Sequence, residues 1–264
     1  MEVKNVVYSH DKKTNHVNHL SVDIELGKIT TIIGPNGCGK STLLGLLSNH
    51  YLPKEGIVKL ENQLMQQYTL KEIAKRIAIV HQENIAPGDL TIERLVGYGR
   101  LPYRTMFKTD KEKDNAVITW ALKETNLLEI KKERIDTLSG GQRQRVWIAM
   151  ALAQQTPYLL LDEPTTYLDL YYQYEILELI KRLNQSYGLT IVMVLHDINQ
   201  AIRYSDEIIT MKHGKLIKKG SPETIITEEL LQDIYDVDVL IKKESETGLY
   251  TIPIGIYKTS KNTS

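Results

Sequence analysis

A single cysteine, Cys38, leaves this chain of 264 residues no internal disulfide to form and fits a reducing compartment. Long apolar runs are missing as well. The longest, such as Ile191–Leu195 and Tyr158–Leu161, fall far short of the roughly 20 residues a helix needs to span a bilayer, so no integral membrane segment is expected. Neither sign of charge is in excess, with 33 basic against 33 acidic residues. That balance argues against a protein that wraps duplex nucleic acid, whose affinity rests on clustered Lys and Arg. The opening MEVKNVVYSHDKK has no apolar core of a signal peptide, and the expected location is the cytoplasm. Low-complexity tracts and repeats of fixed period are also lacking.

The composition that remains is that of a globular protein. Hydrophobic residues make up 42% and charged residues 25%, and a chain of this length buries its core without covalent staples. Short apolar runs alternate with helix-period stretches, which predicts an α/β fold with a mostly parallel sheet. Ile29–Ile33, Ile77–Val80, Tyr158–Leu161 and Thr190–Leu195 read as buried strands, and Ser41–Ser48 as a helix with Leu43, Leu44, Leu46 and Leu47 on its apolar stripe. Alternation in Val3–Tyr8 and Leu20–Leu26 predicts an N-terminal antiparallel β sub-domain. Residues 91–153, rich in helix formers, predict an inserted helical sub-domain. DEIITMKHGKLIKKG predicts a hairpin turning at His213-Gly214. A main domain over 1–221 and a small extension over 222–264 are expected. The extension would hold a helix at Thr224–Ile234, a strand pair around Glu244–Gly248 and a frayed KTSKNTS end.

Three motifs carry chemistry. Gly34, Pro35, Asn36, Gly37, Cys38, Gly39, Lys40, Ser41 and Thr42 form a complete phosphate-binding loop between a strand and a helix. Its glycines let successive N–H groups point at phosphate oxygens, and the helix start adds a positive dipole end. Lys40 would reach the β- and γ-phosphates, and Ser41 would ligate Mg²⁺. Next, the strand YLLL ends in Asp162 and Glu163, and a buried strand closing on two carboxylates calls for a cation or water. Asp162 suits Mg²⁺, and Glu163 could deprotonate an attacking water. Last, Ser139, Gly140, Gly141 and Gln142 open a helix and suggest a second anion site. A plain Ser N-cap explains the serine but not the glycine pair. His10, His16 and His19 match no standard metal spacing and read as a solvated face.

These motifs, in this order, resemble the ATP-binding-cassette (ABC) ATPases, with LSGGQ between the phosphate loop and the DEP strand as the distinguishing feature. The resemblance implies a P-loop NTPase core of RecA-like type, with ATP and Mg²⁺ as cofactors. It implies roles for Gln82 at Mg²⁺ and water, His196 at the γ-phosphate, and Asp169 between the two sites of a dimer. Tyr8 would stack on adenine, with Tyr51, Tyr98 and Tyr167 as alternatives. A homodimer is implied, each phosphate loop facing the other copy's Ser139–Gly141 segment. So are separate membrane permease subunits and, indirectly, a substrate-binding lipoprotein. GYGRLPYRTMF, LSGGQRQRVWIAMALAQQTPYLLLDEPTTYLDL and MVLHDINQAIRYSDEII are similar to the ATPases of ferric-siderophore, haem and cobalamin importers. The expectation is therefore a translocase subunit at the cytoplasmic face of the cell membrane, energising iron–siderophore uptake. Haem, cobalamin, manganese or zinc import, a non-transport cassette ATPase acting in DNA repair or on the ribosome, and a non-hydrolysing regulatory module are the alternatives.

Overall fold

The computed structural model describes residues 1–11, 14–104 and 110–257. In chain order the first elements are β1 (Glu2–Tyr8), β2 (Val17–Asp23), β3 (Ile29–Ile33), α1 (Lys40–Leu47), β4 (Glu55–Leu60), β5 (Gln63–Leu64), α2 (Leu70–Ile73) and β6 (Ile77–Val80). Then come α3 (Ile92–Gly97), α4 (Lys111–Glu124), α5 (Gly140–Ala153), β7 (Tyr158–Asp162), α6 (Leu170–Tyr187), β8 (Thr190–Val194) and α7 (Ile198–Tyr204). The last are β9 (Glu207–Lys212), β10 (Lys215–Gly220), α8 (Pro222–Ile225), α9 (Glu228–Tyr235), β11 (Val237–Glu244) and β12 (Gly248–Ile256). They group into two compact units, Met1–Met65 with Val192 onward, and Gln66–Ile191.

The first unit carries an antiparallel sheet of order β2-β1-β4-β5 and a second sheet in which β10, β9, β3 and β8 lie side by side. β3 and β9 run parallel, and β10 closes antiparallel on β9. β3 is buried along its whole length, as a strand covered on both faces must be. β1 and β2 are less regular. Asn5 and His19 both sit at positive φ, the register slips between Val3 and Val6, and the His19 ring nitrogen Nδ1 lies 3.1 Å from Asn5 Oδ1. This bulge explains why Val6 and Val7 are both buried where strict alternation would expose one. It also starts β2 at Val17, three residues before the expected Leu20.

The expected single helix at Thr224–Ile234 is two. α8 ends at Ile225, Ile226 turns extended, and Thr227 caps α9 by accepting the Leu230 N–H at 3.1 Å. The β11–β12 hairpin follows, and Asn199 of α7 grips its Thr251 through three hydrogen bonds. The expected fraying of KTSKNTS lies outside the described residues, as do Thr105, Met106 and Phe107 of GYGRLPYRTMF.

In the second unit β6 and β7 pair in parallel, and α3, α4 and α5 fill the chain between them. Arg100 organises these helices. It is 1% exposed, and its guanidinium donates to Asp114 Oδ1 (2.8 Å), the Ala153 carbonyl (2.8 Å) and Gln155 Oε1 (3.0 Å). Tyr103 stacks against the same cation at 4.0 Å. A buried guanidinium is tolerated because its fork is filled. The arginine of GYGRLPY is thus a structural staple.

Candidate functional site

The phosphate loop leaves β3 and closes into α1, and its conformation explains its glycines. Gly34 has φ +151° and Gly39 φ +103°, and a Cβ on Gly39 would stand 2.1 Å from the His16 carbonyl oxygen. Inside the curl Lys40 is buried, and its Nζ donates to the carbonyls of Gly34 (2.9 Å) and Pro35 (3.1 Å). Ser41 is exposed and Thr42 is buried. A buried cation ringed by loop backbone is the donor set a polyphosphate needs.

Cys38 is 3% exposed in this loop, and burial pushes its thiol pKa up, with Lys40 opposing. A raised pKa means less thiolate at any given pH. Maleimide labelling of the nucleotide-free chain should therefore be slow and climb about tenfold per pH unit past the point, near 8.5, where a free thiol levels off. A plateau at or below pH 8 in the labelling rate would show that burial does not govern this thiol.

Beside the loop stands an aromatic cluster. Tyr8 stacks on Tyr51 with centroids 4.9 Å apart and planes 24° from parallel, and His10 meets both edge-on. His10 Nε2 lies 3.2 Å from Thr42 Oγ1. Although exposed, His10 therefore touches the loop, which the solvated-face reading missed; no sequence spacing announces that contact. Tyr51 covers Gly45 of α1 so closely that a Cβ there would meet its ring at 2.5 Å. Of the alternatives to Tyr8, Tyr51 shares its stack, whereas Tyr98 and Tyr167 are exposed residues of the second unit. His196 follows β8 on an exposed turn that Asp197 fixes by accepting the Gln200 N–H at 2.8 Å.

In the second unit Asp162 ends β7, half-buried, and Glu163 turns away at φ +51°, a conformation that costs a side-chain-bearing residue strain. Its carboxylate is oriented from two directions. Gln82 Nε2 donates to Glu163 Oε2 at 2.6 Å, and the Thr166 hydroxyl donates to the same oxygen at 3.1 Å. The structure thus brings Gln82 and Glu163 together across 81 residues and adds Thr166, which sequence reasoning missed. Asp169 is exposed at the N-cap position of α6 and makes no side-chain capping bond.

Ser139 caps α5 in a reciprocal box. Its Oγ accepts the Gln142 N–H (3.3 Å), and Gln142 Oε1 accepts the Ser139 N–H (2.9 Å). Gly141 has a packing reason too, since a Cβ there would meet the Tyr172 ring at 2.7 Å. Packing therefore explains Gly141, whereas a Cβ on Gly140 would meet only Leu168 Cδ2 at 3.4 Å and is not excluded by space. Next to it a cleft of about 390 Å³ is lined by Gln82, Ile85, Gly140, Arg143, Trp147 and Tyr167, among others.

Residues 17–166 match the sequence profile of the ABC transporter family. The chain belongs to that family. Its members are ATP-binding proteins and ATPases, and the matched span holds the phosphate loop, Gln82, the Ser139–Gln142 segment, Asp162 and Glu163. Among curated relatives, the iron(3+)-hydroxamate import ATP-binding protein FhuC of Bacillus subtilis (strain 168) is 48% identical over 88% of this chain and 86% of its own length. Among solved structures, a metal-chelate type ABC transporter in an inward-facing conformation is 30% identical. It covers 97% of this chain and 96% of its own, with a TM-score of 0.82. The dimeric cassette MJ0796 bound to ADP and phosphate is 32% identical, covers 84% of this chain and 98% of its own, and has a TM-score of 0.72. This ABC family membership accounts for the α/β architecture, with its mostly parallel strands, antiparallel β sub-domain and inserted helices.

Proposed function

We propose that this chain is the ATP-hydrolysing subunit of an importer for a ferric chelate of the siderophore class, working as a homodimer on the cytoplasmic side of separate permease subunits. The observation that carries the nucleotide part is the buried Lys40 in the curled loop Gly34–Thr42. The cargo rests on likeness to the hydroxamate and metal-chelate systems, because cargo does not touch this subunit.

In this reading, the loop amides and Lys40 bind the β- and γ-phosphates, and Tyr8, stacked on Tyr51, presents an aromatic face to adenine. The family resemblance makes Ser41, Gln82 and Asp162 the residues that would hold Mg²⁺, a hard cation that would neutralise charge on the phosphates. Glu163, oriented by Gln82 and Thr166, takes the proton of the attacking water. Lys40 and His196 meet the charge that develops on the γ-phosphoryl group. Ser139, Gly140 and Gly141 serve the nucleotide held by the other copy, and Asp169 links the two sites. The dimeric relative in its product state supports this arrangement. The cleft beside Gln82, with Ile85 93% exposed on its wall, offers the permease an apolar foothold. A lipoprotein would deliver the chelate on the far side.

The test is reconstitution. The chain, with a permease pair of the hydroxamate-import class, is placed in liposomes, and phosphate release and uptake of ⁵⁵Fe-labelled hydroxamate chelate are followed together. Coupled release and uptake are expected. ATP hydrolysis with no chelate uptake, but with uptake of haem, cobalamin or free manganese, would replace the cargo. No phosphate release at all would end the ATPase reading.

A further inference from the structure

α9 ends beside the phosphate loop, and its last residue has an unexplained hydroxyl. The α9 residues Leu230, Leu231 and Ile234 are buried, and Asp236 at φ +55° closes the helix while its carbonyl accepts the Tyr257 N–H at 3.0 Å. The end of the helix is also tied to β9. Lys212 donates to the Asp233 carbonyl and pairs with the Asp233 carboxylate at 3.6 Å. The residue before Lys212 is Met211, whose carbonyl oxygen would stand 2.2 Å from a Cβ on Gly34. These contacts tie the end of α9 to β9, whose Met211 lies against the start of the loop.

The Tyr235 hydroxyl is shut off from solvent and has no hydrogen-bond partner of full geometry among the described residues. What it faces is the Gly34 backbone amide and the Cys38 thiol. Burial drives the phenol pKa far upward, so it stays protonated. A buried hydroxyl left short of partners lowers stability, and removing it should be neutral or stabilising if packing is its only role. Gly34 is meanwhile held on its carbonyl side by Lys40, the group that must leave for phosphate when nucleotide arrives.

Resting on the reading of Gly34–Thr42 as a nucleotide site, we infer that Tyr235 is a positioning residue. From the C-terminal segment its phenol lies beside the Gly34 amide and Cys38, and it accepts the Gly34 N–H to keep the start of the loop in place once Lys40 turns to phosphate. Residues 222–257 then act on ATP binding through one side chain. Nothing in the sequence links Tyr235 to a loop some 195 residues earlier.

The full-length chain and its Tyr235→Phe variant are compared by titration with a fluorescent trinitrophenyl-ATP and Mg²⁺, by thermal melting, and by maleimide labelling of Cys38 without nucleotide. The hydroxyl's loss should weaken nucleotide binding about 3- to 10-fold and speed labelling several-fold, with an unchanged or higher melting temperature. Binding within twofold of wild type overturns the inference. A loss of affinity accompanied by a matching fall in melting temperature also overturns it, because that is a packing defect. If the wild-type chain itself fails to bind the probe, the nucleotide reading falls and takes this inference with it.

Discussion

A Glu163→Gln chain is expected to bind ATP about as tightly as wild type while releasing phosphate roughly 10²–10⁴ times more slowly, the range a general base contributes. The geometry explains why shape and chemistry separate here. Two bonds to the carboxylate, from Gln82 Nε2 at 2.6 Å and from the Thr166 hydroxyl at 3.1 Å, arrive at one oxygen, Oε2. A glutamine placed with its carbonyl oxygen there keeps both donors and the same backbone turn at φ +51°. What it loses is the charge and the basic lone pair that accept the water's proton. With cleavage blocked, the ATP-bound dimer should persist, and size-exclusion chromatography with ATP and Mg²⁺ should show it at twice the monomer mass. Turnover within threefold of wild type would remove Glu163 from the role of base. A monomer peak under saturating ATP would instead count against nucleotide as the glue between copies.

Some of this site is readable in sequence because its parts are local. The phosphate loop needs only a strand, a tight glycine turn and a helix in succession, and Ile29–Ile33 followed by Lys40–Leu47 supplies them with the expected bounds almost unchanged. β6 and β7 are legible for the same reason, since strands covered on both faces are written as unbroken apolar runs. Elements without such runs are not. β4, EGIVKL, has an exposed first half and carries no period-2 pattern that stands out. The break between α8 and α9 lies in the extended backbone at Ile226, and the apolar spacing passes straight through it. The remainder is non-local. That Thr166 and Gln82 share one oxygen of Glu163, and that Tyr172 occupies the space a side chain on Gly141 would need, are facts of packing between distant segments. The serine and glutamine of LSGGQ show the opposite case. Their capping box is written in four consecutive residues, yet that local role neither requires nor excludes a second one toward a phosphate held by another copy.

Lys40→Ala should fail one step earlier than Glu163→Gln, at binding itself. Lys40 is 5% exposed, and its ammonium donates to the Gly34 and Pro35 carbonyls inside the loop. Moving it onto phosphate exchanges two neutral acceptors for anionic ones, and hydrogen bonds between charged partners are about twice as strong as neutral ones. Taking the side chain away costs a net of about 1.5–3 kcal/mol, the worth of a hydrogen bond to a charged group, because the two carbonyl bonds are given up in either case. An affinity loss of roughly 10- to 150-fold follows, read by titration with trinitrophenyl-ATP, and hydrolysis falls at least as far at subsaturating ATP. The fold should survive, because the lysine bonds the Gly34 and Pro35 carbonyls without setting the positive φ of Gly34 and Gly39 on which the loop's curvature rests. Unchanged affinity in a variant that melts like wild type would mean that Lys40 stays on its carbonyls when nucleotide binds. The phosphates would then be held by the loop amides alone.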